Sequence, residues 1–265
     1  MYDLPELAWA HDAVCAALLV RLQGSRNFDP DSLPAMRDNP AELPMAWGHA
    51  RLLLSQTCGY PLVTSLAGRV RLVATPCYAA EGCSGAWMRS ALLVRDKEPA
   101  ETLAELRGSA ICAINGRDSN SGMNLLRAAV APLAGGKAFF RDVLLTGAHA
   151  ASMAAVQDQR ADVAAIDCVT LALLRRVRPS LAAGLRVLAW TQATPGLPLV
   201  TSAGMPDAGV AALRAALAAV LADPGLLPAR TALLIEGFEV LDEAVYERVA
   251  EIEQEALALS YPVLR

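Results

Sequence analysis

The sequence predicts an α/β protein of two lobes, each a mostly parallel sheet flanked by helices, with a ligand cleft between the lobes. Three observations carry this. From Pro99 onward, short apolar strands alternate with helices of ten or so residues, the pattern of βαβ units. A second β-α stretch of similar size precedes it, and the part that follows is too short to stand alone. The chain has 265 residues, 54% of them hydrophobic and 19% charged, ample for a large core in one big domain or two small ones.

The elements follow in order. Residues 5–23 read as a helix, with Pro5 in its first turn and Gly24 closing it. Residues 27–44 form a polar, Pro-rich connection, with a short helix near 39–47. The apolar run 51–55 suits a buried strand; a Thr57-Cys58-Gly59-Tyr60-Pro61 turn, a short helix to Gly68 and a strand at 70–75 come next. Residues 78–85 read as a Gly- and Ala-rich loop, and 88–95 as a longer strand. The alternation then runs through helix 100–107, strand 109–114, the polar loop 115–121, helix 122–133, strand 142–146, helix 149–159, strand 162–166, helix 168–177 and strand 185–190. A Pro/Gly-rich segment, a strand at 199–201, a helix at 208–221 and closing helical segments at 231–234 and 243–257 finish the chain. Crossovers near 88–90 and 190–192 divide it into a first lobe of 1–88 plus 193–265 and a second of 89–192. Strand C-termini and helix N-termini then converge on the cleft.

Composition excludes several classes. Mean hydropathy is +0.34, yet the longest apolar runs (13–20 and 211–222) are short and broken by Arg, Asp or Pro, so no direct membrane insertion is expected. They read as buried helices. The net charge is −4. The one basic cluster, Arg175, Arg176 and Arg178, ends an apolar helix, where it complements the helix dipole. Nucleic acid and anionic membrane surfaces are therefore not expected partners. Of six cysteines, Cys15, Cys112 and Cys168 sit in apolar runs and read as small core residues. Cys58, Cys77 and Cys83 fall in loop-like segments, which leaves one disulfide among them open in an oxidising compartment. No metal-ligand spacing occurs, and no cofactor is implied. The N-terminus has no secretion-signal pattern, which fits a cytoplasmic protein, a mature form or a late start.

The feature richest in chemistry is Asn115-Gly116-Arg117-Asp118-Ser119-Asn120-Ser121-Gly122, between an apolar strand and an apolar helix. A helix start leaves backbone N–H groups unpaired and carries partial positive charge, so an anion there gains hydrogen bonds and dipole stabilisation together. Ser119 and Ser121 add hydroxyls, and Gly122 permits close approach. An ordinary N-cap wants the same residue types, and the segment alone supports both readings. It lacks the lysine and spacing of a nucleotide P-loop. A second helix start, Thr146-Gly147-Ala148-His149, makes His149 a candidate donor, although a lone histidine more often serves structure. Asp167 ends a buried strand, placed either to meet a ligand amine or to cap the next helix. In the first lobe Gln56, Thr57 and Tyr60 lie between a strand and a helix, Tyr2 precedes the first helix, and Tyr78 opens the Gly-rich loop. Catalytic signatures are absent: no G-x-S-x-G, H-E-x-x-H or G-x-G-x-x-G is found, and only three histidines occur.

These residues resemble a family. The order Gln56-Thr57-Cys58-Gly59-Tyr60-Pro61, then Tyr78 with Gly82-Cys83, then Arg89-Ser90, is similar to the phosphate/phosphonate-type (PhnD-like) substrate-binding proteins of ABC importers. Leu103 to Gly108, Gly147-Ala148-His149, the run from Ala161 to Asp167 and Trp190 match the same pattern, and Asp118-Ser119-Asn120-Ser121-Gly122 resembles its phosphate-gripping loop. The resemblance spans residues 1–223. It implies a type 2 periplasmic-binding-protein-like fold that closes on its ligand by hinge motion. It further implies a small anionic solute held by Ser119, Asn120, Ser121, Gly122 and His149, with Tyr2, Gln56, Thr57, Tyr60 and Tyr78 on the opposite lobe and permease subunits as partners. Asp167 falls where relatives hold the amino end of an aminophosphonate. Asn120 stands where the family usually has Thr, and the chain starts near the end of the family's first strand. With the true start upstream the protein is periplasmic; complete as it stands, it is cytoplasmic. The rival readings are a cytoplasmic enzyme or a ligand sensor on the same fold.

Overall fold

A computed structural model describes residues 2–29, 31, 33–34 and 43–265. A 3-10 turn, Pro5–Leu7, leads into helix α1 (Ala8–Gln23); Pro5 sits where a missing N–H is harmless, and Gly24 ends the helix. Helix α2 (Leu43–Trp47), strand β1 (Ser55–Gln56), helix α3 (Gly59–Val63) and strand β2 (Val70–Tyr78) follow. Next come β3 (Trp87–Met88), β4 (Ser90–Arg95), a 3-10 turn (Leu103–Leu106) and β5 (Ile111–Ile114). A π-helical turn, Asn120–Asn124, runs straight into α4 (Leu125–Ala134). Then come β6 (Asp142–Leu145), α5 (His149–Gln157), β7 (Val163–Asp167), α6 (Cys168–Val177), α7 (Pro179–Ala182), β8 (Leu185–Trp190) and β9 (Thr194–Pro195). The chain closes with β10 (Leu199–Ser202), α8 (Asp207–Ala222), α9 (Leu227–Ala232), β11 (Ile235–Glu239) and α10 (Glu247–Ala258).

The chain forms two compact units. The first comprises the residues up to Ala79 together with Gly196–Glu243; the second comprises Ala80–Pro195 and Ala244–Arg265. The closing residues 244–265 thus belong to the second unit and not, as expected from the sequence, to the first. The reason is packing: Ala256, Tyr261 and Leu264 join the second unit's core, and the backbone N–H groups of Phe139 and Phe140 donate to the Arg265 carbonyl.

In the first unit the strand order is β1-β10-β2-β11, and every pairing is antiparallel. In the second the order is β6-β5-β7-β4-β8; β5 pairs in parallel with β6 and β7, while β4 is antiparallel to both β7 and β8. β8 therefore points the same way as β7, and β4 is the one reversed strand of five. The mostly parallel sheet expected in each lobe is corrected to an antiparallel sheet in the first unit and a mixed one in the second. β-α alternation reports direction only where consecutive strands are joined by a crossover in one sheet. β10 is reached after the chain has left the first unit and returned, and β4 is the first long strand after it enters the second. Neither inherits a direction from its predecessor.

The cores follow the period of two. On β4, Leu92 and Val94 face a cluster with Leu126, Val130 and Ala131 of α4, while Ala91 and Leu93 face the other side, on which α5 packs. Both faces are covered, so the strand reads as a continuous apolar run. In the first unit Leu18 and Leu22 of α1 meet Leu213, Leu217 and Val220 of α8 over Val73 and Ala74. Among the described residues no single helix is long and apolar enough to cross a membrane.

Two expected elements differ, and one strand is new. The strand at 51–55 shrinks to Ser55–Gln56; the Leu52 carbonyl still accepts from the Ser202 N–H, without a continuous ladder. The helix at 100–107 is one 3-10 turn: the Glu105 carboxylate accepts from the Thr102 hydroxyl and the Glu101 N–H, and Gly108 at φ +82° stops it a few residues later. β11 was not expected, because it is a short strand with an irregularity at Ile235/Gly237 that depends on pairing with β2. The short helix expected near 39–47 is present from Leu43; 39–42 lie outside the described residues.

Candidate anion-binding site

The turn that opens α4 lies in the second unit. β5 ends at Ile114, and the chain reverses through Asn115–Asp118 to reach Ser119, which caps the π-helical turn: its Oγ accepts from the Gly122 N–H at 3.0 Å. The Ser119 carbonyl takes the N–H groups of both Met123 and Asn124, at 3.2 and 3.0 Å. Asn120 and Ser121 occupy the first two helical positions, so their N–H groups have no helical carbonyl to bond. Ser119, Asn120 and Ser121 are all buried. Gly122 leaves room for Asn115: a Cβ there would lie 1.8 Å from Asn115 Oδ1, a buried oxygen without a hydrogen-bond partner, and the Asn115 side chain would have to move.

His149 is the first residue of α5, and its Nε2 lies 3.1 Å from Ser121 Oγ, so two helix starts meet through one hydrogen bond. Its Nδ1 is buried on the side of the Ala165 backbone. Burial lowers the imidazole pKa to about 4, and the Ala165 backbone, which favours the proton, offsets only part of this. The ring is therefore neutral at pH 7, with one donor and one acceptor nitrogen. None of the hydrogen-bond partners of Ser119, Asn120, Ser121 and Gly122 among the described residues is charged. What this turn offers an anion is hydroxyls, N–H groups and a helix dipole.

Behind the turn runs a buried polar chain. Asn120 Nδ2 donates to Thr194 Oγ1 at 3.3 Å, and its Oδ1 accepts from Asn124 Nδ2 at 3.0 Å. Asn124 Nδ2 also donates to the Val249 carbonyl, and Asn124 Oδ1 accepts from Arg127, which pairs with Glu253 at 3.0 Å and donates to the Pro262 carbonyl. Ser90, wholly buried, donates to the Ser121 carbonyl at 2.8 Å. Asn115, Ser90, Asn124, Arg127 and Thr194 were absent from the expected site. The available signals were Asn115 at a strand end and an Asn and an Arg on the buried side of an apolar helix.

The remaining expected residues fall into two groups. Asp167 ends β7 opposite Ser90 and caps α6, its Oδ1 accepting from the Thr170 N–H at 2.8 Å. In the first unit Gln56 Nε2 donates to Tyr78 Oη at 3.0 Å and to the Leu197 carbonyl at 3.1 Å, and the Tyr2 and Tyr78 rings meet edge-to-face at 5.3 Å. Tyr2, Gln56 and Tyr78 are thus brought together. Thr57 is wholly buried, with its hydroxyl directed at the Cys58 carbonyl, and Tyr60 is half-buried in α3. Two surface hollows, one of 540 Å³ bounded by Arg71, Arg214 and Glu243 and one of 640 Å³ along the acidic side of α10, include none of these residues. The six cysteines carry no disulfide, and the thiol beside Cys83 is that of Cys168, expected from the sequence to be a core residue.

Comparison with known proteins bears on the family and the fold. The family model of the periplasmic substrate-binding protein of ABC phosphonate transporters matches residues 41–246. A protein from Xanthomonas citri solved bound to ATP superimposes with a TM-score of 0.64 at 20% identity, covering 92% of this chain and 90% of its own. A binding-protein component of an ABC phosphonate transporter from Pseudomonas aeruginosa gives 0.69 at 18% identity over 82% and 72%. PhnD1 from Prochlorococcus marinus, solved with methylphosphonate, gives 0.67 at 12% over 80% and 81%. At these identities the likeness establishes the fold, the two-lobed α/β fold of periplasmic binding proteins, as the resemblance implied. No protein of curated function matches the chain.

Proposed function

This chain belongs to the periplasmic substrate-binding protein family of ABC phosphonate transporters, and from that premise we propose that it binds a small oxyanion-bearing solute, a phosphonate or phosphate, at the turn formed by Ser119, Asn120, Ser121 and Gly122. The observation that carries the reading is that buried turn, with two N–H groups the helix cannot bond, the hydroxyls of Ser119 and Ser121, and a neutral imidazole on Ser121. An oxyanion seated there replaces the lost hydration with charge-assisted hydrogen bonds. Tyr2, Gln56, Thr57, Tyr60, Tyr78 and Asp167 are proposed as further contacts to the solute. The permease of an ABC importer is its partner, and the periplasm is where it works.

Thermal unfolding with and without solute tests this. A ligand that binds the folded form alone stabilises it by about 2.7 kcal/mol at 100 times Kd. Methylphosphonate, inorganic phosphate, phosphite, a sulfonate, a thiamine-like compound and ATP form the set. A rise in Tm with a phosphonate or phosphate supports the reading. No rise with any phosphorus oxyanion at millimolar concentration overturns it.

A further inference from the structure

We propose that Cys83 and Cys168 form a reversible dithiol–disulfide site, a place of oxidative modification on the second unit. The two sulfurs lie 3.4 Å apart although the residues are 85 positions apart in sequence. A disulfide needs about 2.05 Å, so closure asks for a movement of roughly 1.4 Å. The local backbone is built for this approach. Cys83 sits in a tight turn, its N–H donating to the Ala80 carbonyl at 2.9 Å. Gly82 before it has φ +94°, and a Cβ on it would lie 2.6 Å from the Trp190 ring and 3.0 Å from Cys168 Cβ. Only glycine lets the turn lie directly on the start of α6. The Arg175–Glu81 ion pair joins the same turn to the same helix.

The two thiols are unequal. Cys168 is 1% exposed, whereas Cys83 is half-buried. The hydrogen bond with Cys83, then burial, then the Asp167 charge, push the Cys168 thiol far above the ordinary range. Cys83 therefore meets an oxidant first. Its thiolate attacks one sulfur of a small dialkyl disulfide, forming a mixed disulfide and releasing one thiolate. Cys168 then loses its proton and attacks Cys83 Sγ, releasing the second. The balance is protein dithiol plus disulfide giving protein disulfide plus two thiols. The product closes a long loop in the unfolded chain and ties the 80–86 turn to α6 beside Asp167. None of this depends on which solute the protein carries.

The test uses the full chain, reduced and then exposed to oxidised glutathione, acid-quenched, alkylated and peptide-mapped by mass spectrometry. The expected result is loss of two of the six alkylatable cysteines, a linked Cys83–Cys168 peptide, a higher Tm, and recovery of both thiols with dithiothreitol. Cys168→Ser is expected to trap glutathione on Cys83. Cys83→Ser, at the more exposed position, is expected to keep every remaining cysteine alkylatable under the same oxidant. The proposal is overturned if the linked peptide joins another pair, if wild type retains all its thiols, or if Cys83→Ser still forms an intramolecular disulfide. Should Cys168→Ser not fold, the wild-type map and Cys83→Ser decide alone.

Discussion

Asn120, Gly122 and His149 illustrate how single residues shape the turn. Asn120 commits both ends of its amide to Thr194 and Asn124, so it braces the turn from behind. Gly122→Ala would drive a methyl group into Asn115 Oδ1. We expect it to destabilise the fold by about 2 kcal/mol or more, and Asn115→Ala in the same chain to restore part of the loss; urea unfolding of the double-mutant cycle reads the coupling. Ser121→Ala removes the partner of His149 Nε2 and a hydroxyl from the turn. It should weaken methylphosphonate binding roughly tenfold by calorimetry, the worth of one hydrogen bond. His149 carries a pH signature. Its pKa is near 6.5 unfolded and about 4 folded, so between those values the unfolded chain holds more protons. Its contribution to stability is complete above about pH 6.5 and is lost as pH falls toward 4, with a slope of at most about 1.4 kcal/mol per pH unit. His149→Gln should flatten that part of the stability–pH curve, and an unchanged slope would show that another group carries it.

Elements were legible wherever the apolar period repeats. α6 and β8 match the sequence expectation residue for residue, and α1, α5, α8 and β5 to within a few positions at their ends, because each buries a stripe or face written in its own residues. Elements held by partners were not legible. β11 exists through its pairing with β2. The support of α4 is similarly non-local. Arg127 is buried and meets Glu253 of α10, 126 positions away. Arg127→Met should cost about 3 kcal/mol in urea unfolding, since it strands Asn124, Glu253 and the Pro262 carbonyl. Glu253→Gln, whose site is partly exposed, should cost clearly less. Equal costs for the two would contradict the buried chain described above.

For the whole molecule, the test belongs to the C-terminus. Val249, Ile252, Ala256, Tyr261 and Leu264 are buried, and the last three lie in the second unit's core. A chain ending at Glu243 should lose the protection of residues 80–195 in hydrogen exchange while the first unit keeps more of its own, since this core would lose an aromatic ring and several aliphatic groups at once. Preferential loss in the first unit would place the segment there instead. The sequence by itself determined the α/β class, most of the helices and strands and the turn from Ser119 to Gly122, because period, caps and glycines are local properties. Tertiary structure alone decided strand direction, the home of the last helix, the seating of His149 on Ser121 and the meeting of Cys83 with Cys168. Each of these joins residues far apart in the chain, and local pattern carries no record of which distant partner a side chain will find.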